Sequence, residues 1–409
     1  MPDPDAAVLI TESAQLDALV ARLVEVDRYA VDTEFHRERT YFPQLALLQV
    51  ATVDQVFLVD PLAVDPAPLA KVFAGEGLAL MHAAKQDLEV LDHAVGSSPT
   101  HIFDTQVAGG FLGYTAPSLA ALLDRELGVR APKADRLTDW LRRPLTDRQL
   151  RYAAADVAHL HALHDSLGGR LEELGRSEWV REATEELAAE PRGPRNPEDA
   201  WRRIKEVRHL KGADLATAQA IAAWRESRAA QLDLTPRYVL ADLGVVGLAV
   251  ARPATAEDLK DIRGVDGRAL RHVADELLAV IAEAADRRPR RDAAPVATEL
   301  PAELRPALPL VAAWVGQHAR DLRIEASLLA SRADIEALLR GDADARLTQG
   351  WRRDLVGEPI RQLVAGEVAL AFDRRGGLVL EPRQATPAGS APEGDQGTDG
   401  DHPQDPEGH

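Results

Sequence analysis

The stretch Tyr29-Ala-Val-Asp-Thr-Glu-Phe35 sets the reading of this chain. Its aromatic and β-branched residues favour an extended backbone, and the apolar run ahead of Asp32 fits a strand buried in a sheet. Gln44-Leu-Ala-Leu-Leu-Gln-Val-Ala51 offers an apolar pairing partner and Val56-Phe-Leu-Val-Asp60 a third run of the same kind. Asp32 then stands on a central strand, where a carboxylate needs a partner and a metal ion is one.

Outward from there, Leu78-Ala-Leu-Met-His-Ala83 reads as another strand, and Lys85 to Ala94 places Leu88, Val90 and Leu91 at near-helical spacing. Ile102-Phe-Asp-Thr105 continues the strand-then-helix alternation of an α/β domain, a sheet with helices covering it. From Thr146 the sequence turns helical, with Leu150, Ala153, Ala154, Val157, Leu160 and Leu163 in one apolar stripe and Thr146 with Gln149 as a capping box.

Pro191-Arg-Gly-Pro-Arg-Asn-Pro197 cannot continue a helix, which sets a first domain of residues 1–190. Residues 191–286 predict a second unit of four or five short helices, 287–302 a charged linker, and 303–382 another helical unit. The tail, 383–409, has almost no apolar residues and predicts disorder.

Composition narrows the function classes. Hydrophobic content is 45% and charged content 28%, and no apolar run reaches the roughly 18–20 residues of a membrane span. The first residues lack the basic-then-apolar pattern of a leader, so a cytoplasmic location is expected. With no cysteine, a bound metal has only carboxylates and imidazoles to sit on. The formal charge of −18 argues against a nucleic-acid partner, yet seven acids against one arginine fall between Glu381 and His409. Net charge is therefore a poor guide to partners here.

Asp32 and Glu34 are two apart on a strand, so they face the same side and can share a cation. Alone this is weak: with 66 acids in 409 residues, roughly ten acid-x-acid pairs arise by chance. Asp87 opens a helix, where a carboxylate can simply favour the positive end of the dipole. Tyr152 and Asp156 lie four apart and share a helix face. Asp104 also ends a strand and is read as a helix cap or support rather than a metal ligand.

The order of these groups is more specific than any one of them. Asp32-Thr-Glu-Phe, Arg39-Thr-Tyr-Phe-Pro-Gln-Leu, His82-Ala-Ala-Lys-Gln-Asp-Leu-Glu-Val, Phe103-Asp-Thr-Gln, Thr138-Asp-Trp-Leu-Arg-Arg-Pro-Leu and Arg151-Tyr-Ala-Ala-Ala-Asp-Val resemble the ribonuclease D family, the tyrosine subtype of the DEDD exonucleases. Asn196-Pro-Glu-Asp-Ala-Trp-Arg-Arg-Ile-Lys adds to the likeness, which spans about residues 8–375.

The resemblance implies an α/β ribonuclease H-like exonuclease domain, a mixed sheet with flanking helices, followed by two all-α HRDC-like domains. It also implies that Asp32, Glu34, Asp87 and Asp156 bind two divalent ions, Mg2+ or Mn2+, and that Tyr152 positions or helps deprotonate the attacking water. Two ions about 3.5–4 Å apart can stabilise both the attacking and the leaving oxygen of a phosphoryl displacement.

Phe35, His36 and His82 flank the metal motifs and are candidates to touch the terminal nucleotides, although Phe35 fits plain core equally well. Lys133 and Trp140 belong to a loop that departs from the family pattern at Ala134 and Leu137. Trp201-Arg-Arg-Ile-Lys-Glu-Val-Arg-His-Leu-Lys211 gathers Arg202, Arg203, Lys205, Arg208 and Lys211 as a candidate phosphate-binding stripe, against the plainer reading of a solvated helix face. Leu259-Lys-Asp-Ile-Arg-Gly-Val-Asp-Gly-Arg-Ala-Leu270 resembles the helix-turn-helix of an HRDC domain, and Gly350-Trp-Arg-Arg-Asp-Leu-Val-Gly357 falls in a more diverged copy for which interdomain packing is an alternative role.

The expectation is a 3′→5′ exoribonuclease that releases 5′-monophosphates from RNA with a free 3′ end, transfer RNA precursors above all, without an organic cofactor or membrane and with a monomer favoured. A DNA-directed exonuclease and an inactive RNA-binding scaffold are the rival readings. Because every candidate metal ligand precedes residue 190, a chain ending near Glu190 is expected to keep its chemistry.

Overall fold

The strand that carries Asp32 lies in the middle of a six-stranded sheet, in a computed structural model that describes residues 2–130, 138–193, 196–266, 272–285, 287–290 and 300–383. In chain order the sheet domain runs β1 (Val8–Ile10), α1 (Ser13–Leu23), β2 (Arg28–His36), β3 (Gln44–Ala51), β4 (Val56–Val59), α2 (Ala70–Phe73), β5 (Leu78–Met81), α3 (Lys85–Val95) and β6 (Ile102–Asp104). α4 (Thr105–Phe111), α5 (Leu119–Leu122), α6 (Asp147–Ala158), α7 (Leu160–Glu173) and α8 (Ser177–Ala189) follow. The spatial order is β1-β4-β3-β2-β5-β6, with β3 antiparallel to both its neighbours and the other pairs parallel, a mixed sheet.

Register explains which side chains reach which side. β2 and β3 pair Ala30 with Ala51, Asp32 with Gln49 and Glu34 with Leu47, so these residues share one face. That face is covered by α4, α6 and α7 through Ala153, Ala154, Val157 and Leu163. The alternate residues Val31, Leu48 and Val50 face α1, α2 and α3. Burial on both faces is why β3 and β4 read as continuous apolar runs rather than alternating ones.

The first helical module has a core of its own, built on Trp201, Ile204, Ile221, Trp224, Leu248, Leu277 and Ile281. Where only short helices are expected, α9 (Gly212–Leu232) runs for 21 residues, followed by α10 (Pro236–Val239), α11 (Asp242–Ala251) and α12 (Ala274–Ala285). The alanine-rich sequence of α9 has no breaker inside, which lets the helix continue where separate turns were expected. The basic stretch 201–211 is not a helix face but two 3₁₀ turns, Pro197–Arg203 and Lys205–His209.

This module clasps the loop that leaves β2. Asp233 accepts hydrogen bonds from the backbone N–H groups of Tyr41 and Phe42 at 3.0 Å each, the Tyr41 hydroxyl donates to Glu226 at 2.8 Å, and the Thr235 N–H donates to the Arg39 carbonyl at 3.1 Å.

The second unit departs from the all-helical expectation. After α13 (Ala307–Leu322), α14 (Ala326–Leu329), α15 (Arg332–Arg340), α16 (Gly350–Arg352) and α17 (Glu358–Ala365) it closes with a hairpin, β7 (Val368–Phe372) and β8 (Leu378–Pro382). Branched and aromatic residues around Asp373-Arg-Arg-Gly-Gly377, whose Asp373 side chain accepts from the Gly377 N–H at 2.7 Å, favour that turn over another helix.

Nor does this unit stand apart from the sheet domain: Val311, Trp314, Leu339, Trp351 and Ile360 belong to the same hydrophobic cluster as Phe111, Leu167 and Val180. Trp351 stacks on Trp179 at 5.1 Å and meets Phe111 edge-on at 5.4 Å. The Arg176 guanidinium bridges the Phe111 carbonyl at 2.6 Å and the Leu322 carbonyl at 2.7 Å. Gly110 admits the contact, since a Cβ there would lie 2.5 Å from Leu328. A chain ending near Glu190 would therefore expose an apolar face of the sheet domain that the expectation of an independent catalytic unit did not include.

Candidate active site

Asp32 and Glu34 project from the covered face of β2 beside α6, which brings Tyr152 and Asp156 down on them. Together with His82, Leu119 and Leu160 these four line one cleft of about 200 Å³. Asp87 arrives from the first turn of α3, buried, and accepts a hydrogen bond from the Thr33 hydroxyl on the strand residue between the two acids. Thr33 stands between the two acids of the motif with no role legible in the sequence; only the fold shows that it joins the strand to the helix.

Two local devices aim these groups. The Thr146 hydroxyl accepts from the Gln149 N–H at 3.3 Å and the Gln149 side chain accepts from the Thr146 N–H at 2.9 Å, which fixes where α6 begins. Asp104 caps α4, accepting from the Gln106 N–H at 2.8 Å, and also takes the N–H groups of Ala83 at 3.0 Å and Ala84 at 2.8 Å ahead of α3. Ala83 holds a left-handed φ of 57° in this turn, which leads directly into α3. A cap and support for Asp104 agrees with its sequence reading.

The electrostatics are those of a site built to be neutralised. Burial pushes the Asp32 carboxyl well above its ordinary range, and the nearby Asp87, Asp156 and Glu34 push it the same way. Burial, then Asp156 and Asp87, raise Glu34 to about 8. Burial also raises Asp87 to about 6, against the Thr33 hydrogen bond, and Asp156 to about 7, against a hydrogen bond from the Tyr152 hydroxyl. Burial and the surrounding carboxylates push the Tyr152 phenol up, so it keeps its proton and serves as a donor.

None of the four acids has an ion-pair partner among the described residues. They do not close into a tight three-ligand cage there either; they stand around the cleft, near enough to raise one another's affinity for protons. An all-oxygen, acid-rich set with no lysine or arginine lining the cleft among the described residues fits hard divalent cations, which keep part of their water shell.

The remaining candidates part company. His82 lines the cleft, hydrogen-bonded through Nδ1 to the Thr105 hydroxyl at 2.9 Å and held below its usual range by burial. His36 is half-buried and accepts the Trp140 backbone N–H at 3.2 Å, tying β2 to the loop before α6. Trp140 is corrected from a nucleic-acid contact to a core residue: its ring is 5% exposed and lies 6.1 Å from that of Tyr152. Phe35, half-buried beyond an irregularity at Glu34, packs against the α1–α3 core, the second of its two sequence readings. Lys133 lies outside the described residues.

In the basic stretch, Arg203 pairs with the buried Glu226 at 2.6 Å and Arg202 with Asp199 at 3.2 Å, whereas Lys205, Arg208 and Lys211 are exposed. Arg143, within the 138–145 motif but with no role expected, clamps Asp60 through Nε at 2.6 Å and Nη2 at 2.7 Å, and the Trp140 carbonyl at 2.7 Å. An arginine next to a proline gives no hint of so distant a partner.

Residues 7–172 match the 3'-5' exonuclease family and residues 214–281 the HRDC domain. Among curated proteins the chain is 37% identical to Ribonuclease D of Nitrobacter hamburgensis over 90% of its own length and 97% of the relative's. It is also 37% identical to Ribonuclease D of Acidiphilium cryptum, over 90% and 95% respectively. The crystal structure of Escherichia coli RNase D, described as an exoribonuclease involved in structured RNA processing, superposes with a TM-score of 0.76 at 30% identity, covering 88% of this chain and 98% of that one. The catalytic core of RRP6 from Trypanosoma brucei gives a TM-score of 0.56 at 27% identity over 68% and 79% of the two chains.

Proposed function

The chain belongs to the ribonuclease D family, and on that premise we propose how its cleft works as a divalent-metal-dependent 3′→5′ exoribonuclease. The observation that carries the reading is the convergence of Asp32, Glu34 and Asp156 on one cleft, with Asp87 close enough to oppose the Asp32 charge and no ion-pair partner for any of them among the described residues.

In this reading the four carboxylates hold two ions, Mg2+ or Mn2+, which when bound supply Lewis-acid stabilisation to the attacking and leaving oxygens. The residues that would hold them are Asp32 and Glu34 on β2, Asp87 in the first turn of α3 and Asp156 on α6. Tyr152 donates its hydroxyl proton to Asp156 and thereby orients that carboxylate and the attacking water. Leu119 and Leu160 form an apolar wall that limits bulk water in the cleft. The products are 5′-monophosphates, released one at a time.

The substrates we assign are RNAs with a free 3′ end, transfer RNA precursors in particular, acted on in the cytoplasm by a monomer. Structured RNA is what the Escherichia coli protein is described as processing, and the HRDC module with exposed Lys205, Arg208 and Lys211 offers phosphate contacts beside the sheet domain. Residues 191–286, and the unit of helices closed by a hairpin at 303–382, are assigned as modules around that path.

The test is degradation of matched RNA and DNA strands with blocked and free 3′ ends by the full chain, with and without Mg2+ or Mn2+. Metal-dependent loss of mononucleotides from free RNA 3′ ends is expected, and Asp156→Asn should lower it at least about 100-fold while RNA binding persists. Equal rates on DNA, or full activity in Asp156→Asn, would reject the reading.

A further inference from the structure

Directly opposite Asp32 on β3 is Gln49, fully buried, whose amide meets no hydrogen-bond partner at either end among the described residues. An amide in that state loses its water without recovering the hydrogen bonds, a cost that a purely structural position would shed by becoming leucine or methionine.

The register shows how isolated it is. Its neighbours along β3 on the same face are Leu47 and Ala51, its partner on β4 is Leu58, and α6 covers it with Ala153, Ala154 and Val157. The polar side chain that the sheet sets beside it is Asp32, whose Cβ in a directly opposed antiparallel pair lies about 4.5–5.5 Å away. Asp32 accepts a hydrogen bond from the Thr33 backbone N–H, and a carboxylate has room for several donors. It is also the acid whose charge is opposed from the most directions, by burial and by three other carboxylates.

We propose that Gln49 is a positioning residue for the exonuclease site, turning its amide N–H onto the outer oxygen of Asp32 when that carboxylate holds a cation. The inference rests on the assignment of Asp32 as a metal ligand. The amide then acts as the hydrogen-bonding partner that ligating carboxylates commonly need, fixing the direction of their lone pairs.

The experiment measures Mn2+ affinity of the full chain by calorimetry, together with thermal stability of the metal-free protein, for Gln49→Leu and Gln49→Met beside Asp32→Asn. Expected for both Gln49 variants is metal-free stability equal to or above wild type, with Mn2+ affinity weakened about 10–100-fold. Activity lost at low Mn2+ should return as Mn2+ is raised, which a packing role would not produce. Affinity within about twofold of wild type overturns the proposal, as does loss of the fold in both variants, because the amide would then be serving the core. If Asp32→Asn itself leaves Mn2+ affinity unchanged, the metal assignment fails and the role of Gln49 falls with it.

Discussion

Asp104, at the end of β6, accepts a hydrogen bond from the backbone N–H of Ala84 at 2.8 Å, and so one buried carboxylate outside the candidate metal set fixes where the helix bearing Asp87 begins. The same carboxylate caps α4, so its loss frees donors at two helix starts at once. Asp104→Ala is expected to cost about 2–4 kcal/mol in denaturant unfolding, a lost cap plus unpaired buried donors, and to weaken divalent-ion binding by displacing Asp87. Asp104→Asn, which keeps one acceptor, should lose less. Wild-type stability in the alanine variant would mean that α3 is held by packing alone.

Tyr152→Phe removes one hydroxyl and leaves the ring against Trp140, so the protein should fold normally. With the donor to Asp156 gone, that carboxylate and the attacking water it orients lose their alignment, and single-turnover cleavage is expected to slow by roughly 10²-fold. A change under about threefold would reduce Tyr152 to a packing residue.

The raised carboxyls make stability depend on pH in a direction opposite to that of ordinary salt-bridged acids. A carboxyl whose pKa is higher in the folded chain binds more protons there than in the unfolded chain, so folding is favoured below the unfolded values of about 4. That stability is lost as pH rises through about 6 for Asp87, about 7 for Asp156 and about 8 for Glu34. The melting temperature of the metal-free protein should therefore fall between about pH 5 and about pH 8. Mn2+ should stabilise more at the upper end, where it meets ionised ligands. A Mn2+ increment that is the same at both ends would contradict a carboxylate site.

Trp351 anchors the second unit to the sheet domain, and beside it the buried Arg352 pairs with Glu186 on α8 at 2.8 Å. Truncating so large a core ring costs about 3–5 kcal/mol, so Trp351→Ala should lower stability by that amount and loosen the C-terminal unit to limited proteolysis. Because Phe111 and Trp179 lie in the same cluster, the sheet domain should be destabilised too. Cooperative unfolding in the wild type that splits into two transitions in this variant would support the shared core. Unchanged stability would show that the unit merely rests on the surface.

The α/β class, the strands at 28–36, 44–51 and 56–59 and the start of α6 at Thr146 were legible in the sequence because they rest on local rules: side-chain alternation, apolar runs and a capping box. The candidate set Asp32, Glu34, Asp87, Tyr152 and Asp156 was also picked out in the sequence, because its order along the chain is distinctive where each pair alone is commonplace. Tertiary structure decided the rest. That Trp140 faces the core, that Arg143 reaches back to Asp60, and that Thr33 bonds Asp87 all depend on segments tens of residues apart meeting at angles no short window records. The same holds for the second unit, whose helices were readable but whose role in completing the core of the sheet domain was not. Periodicity reports which face of an element is apolar; which other face it meets is settled only when the whole chain has buried its surface.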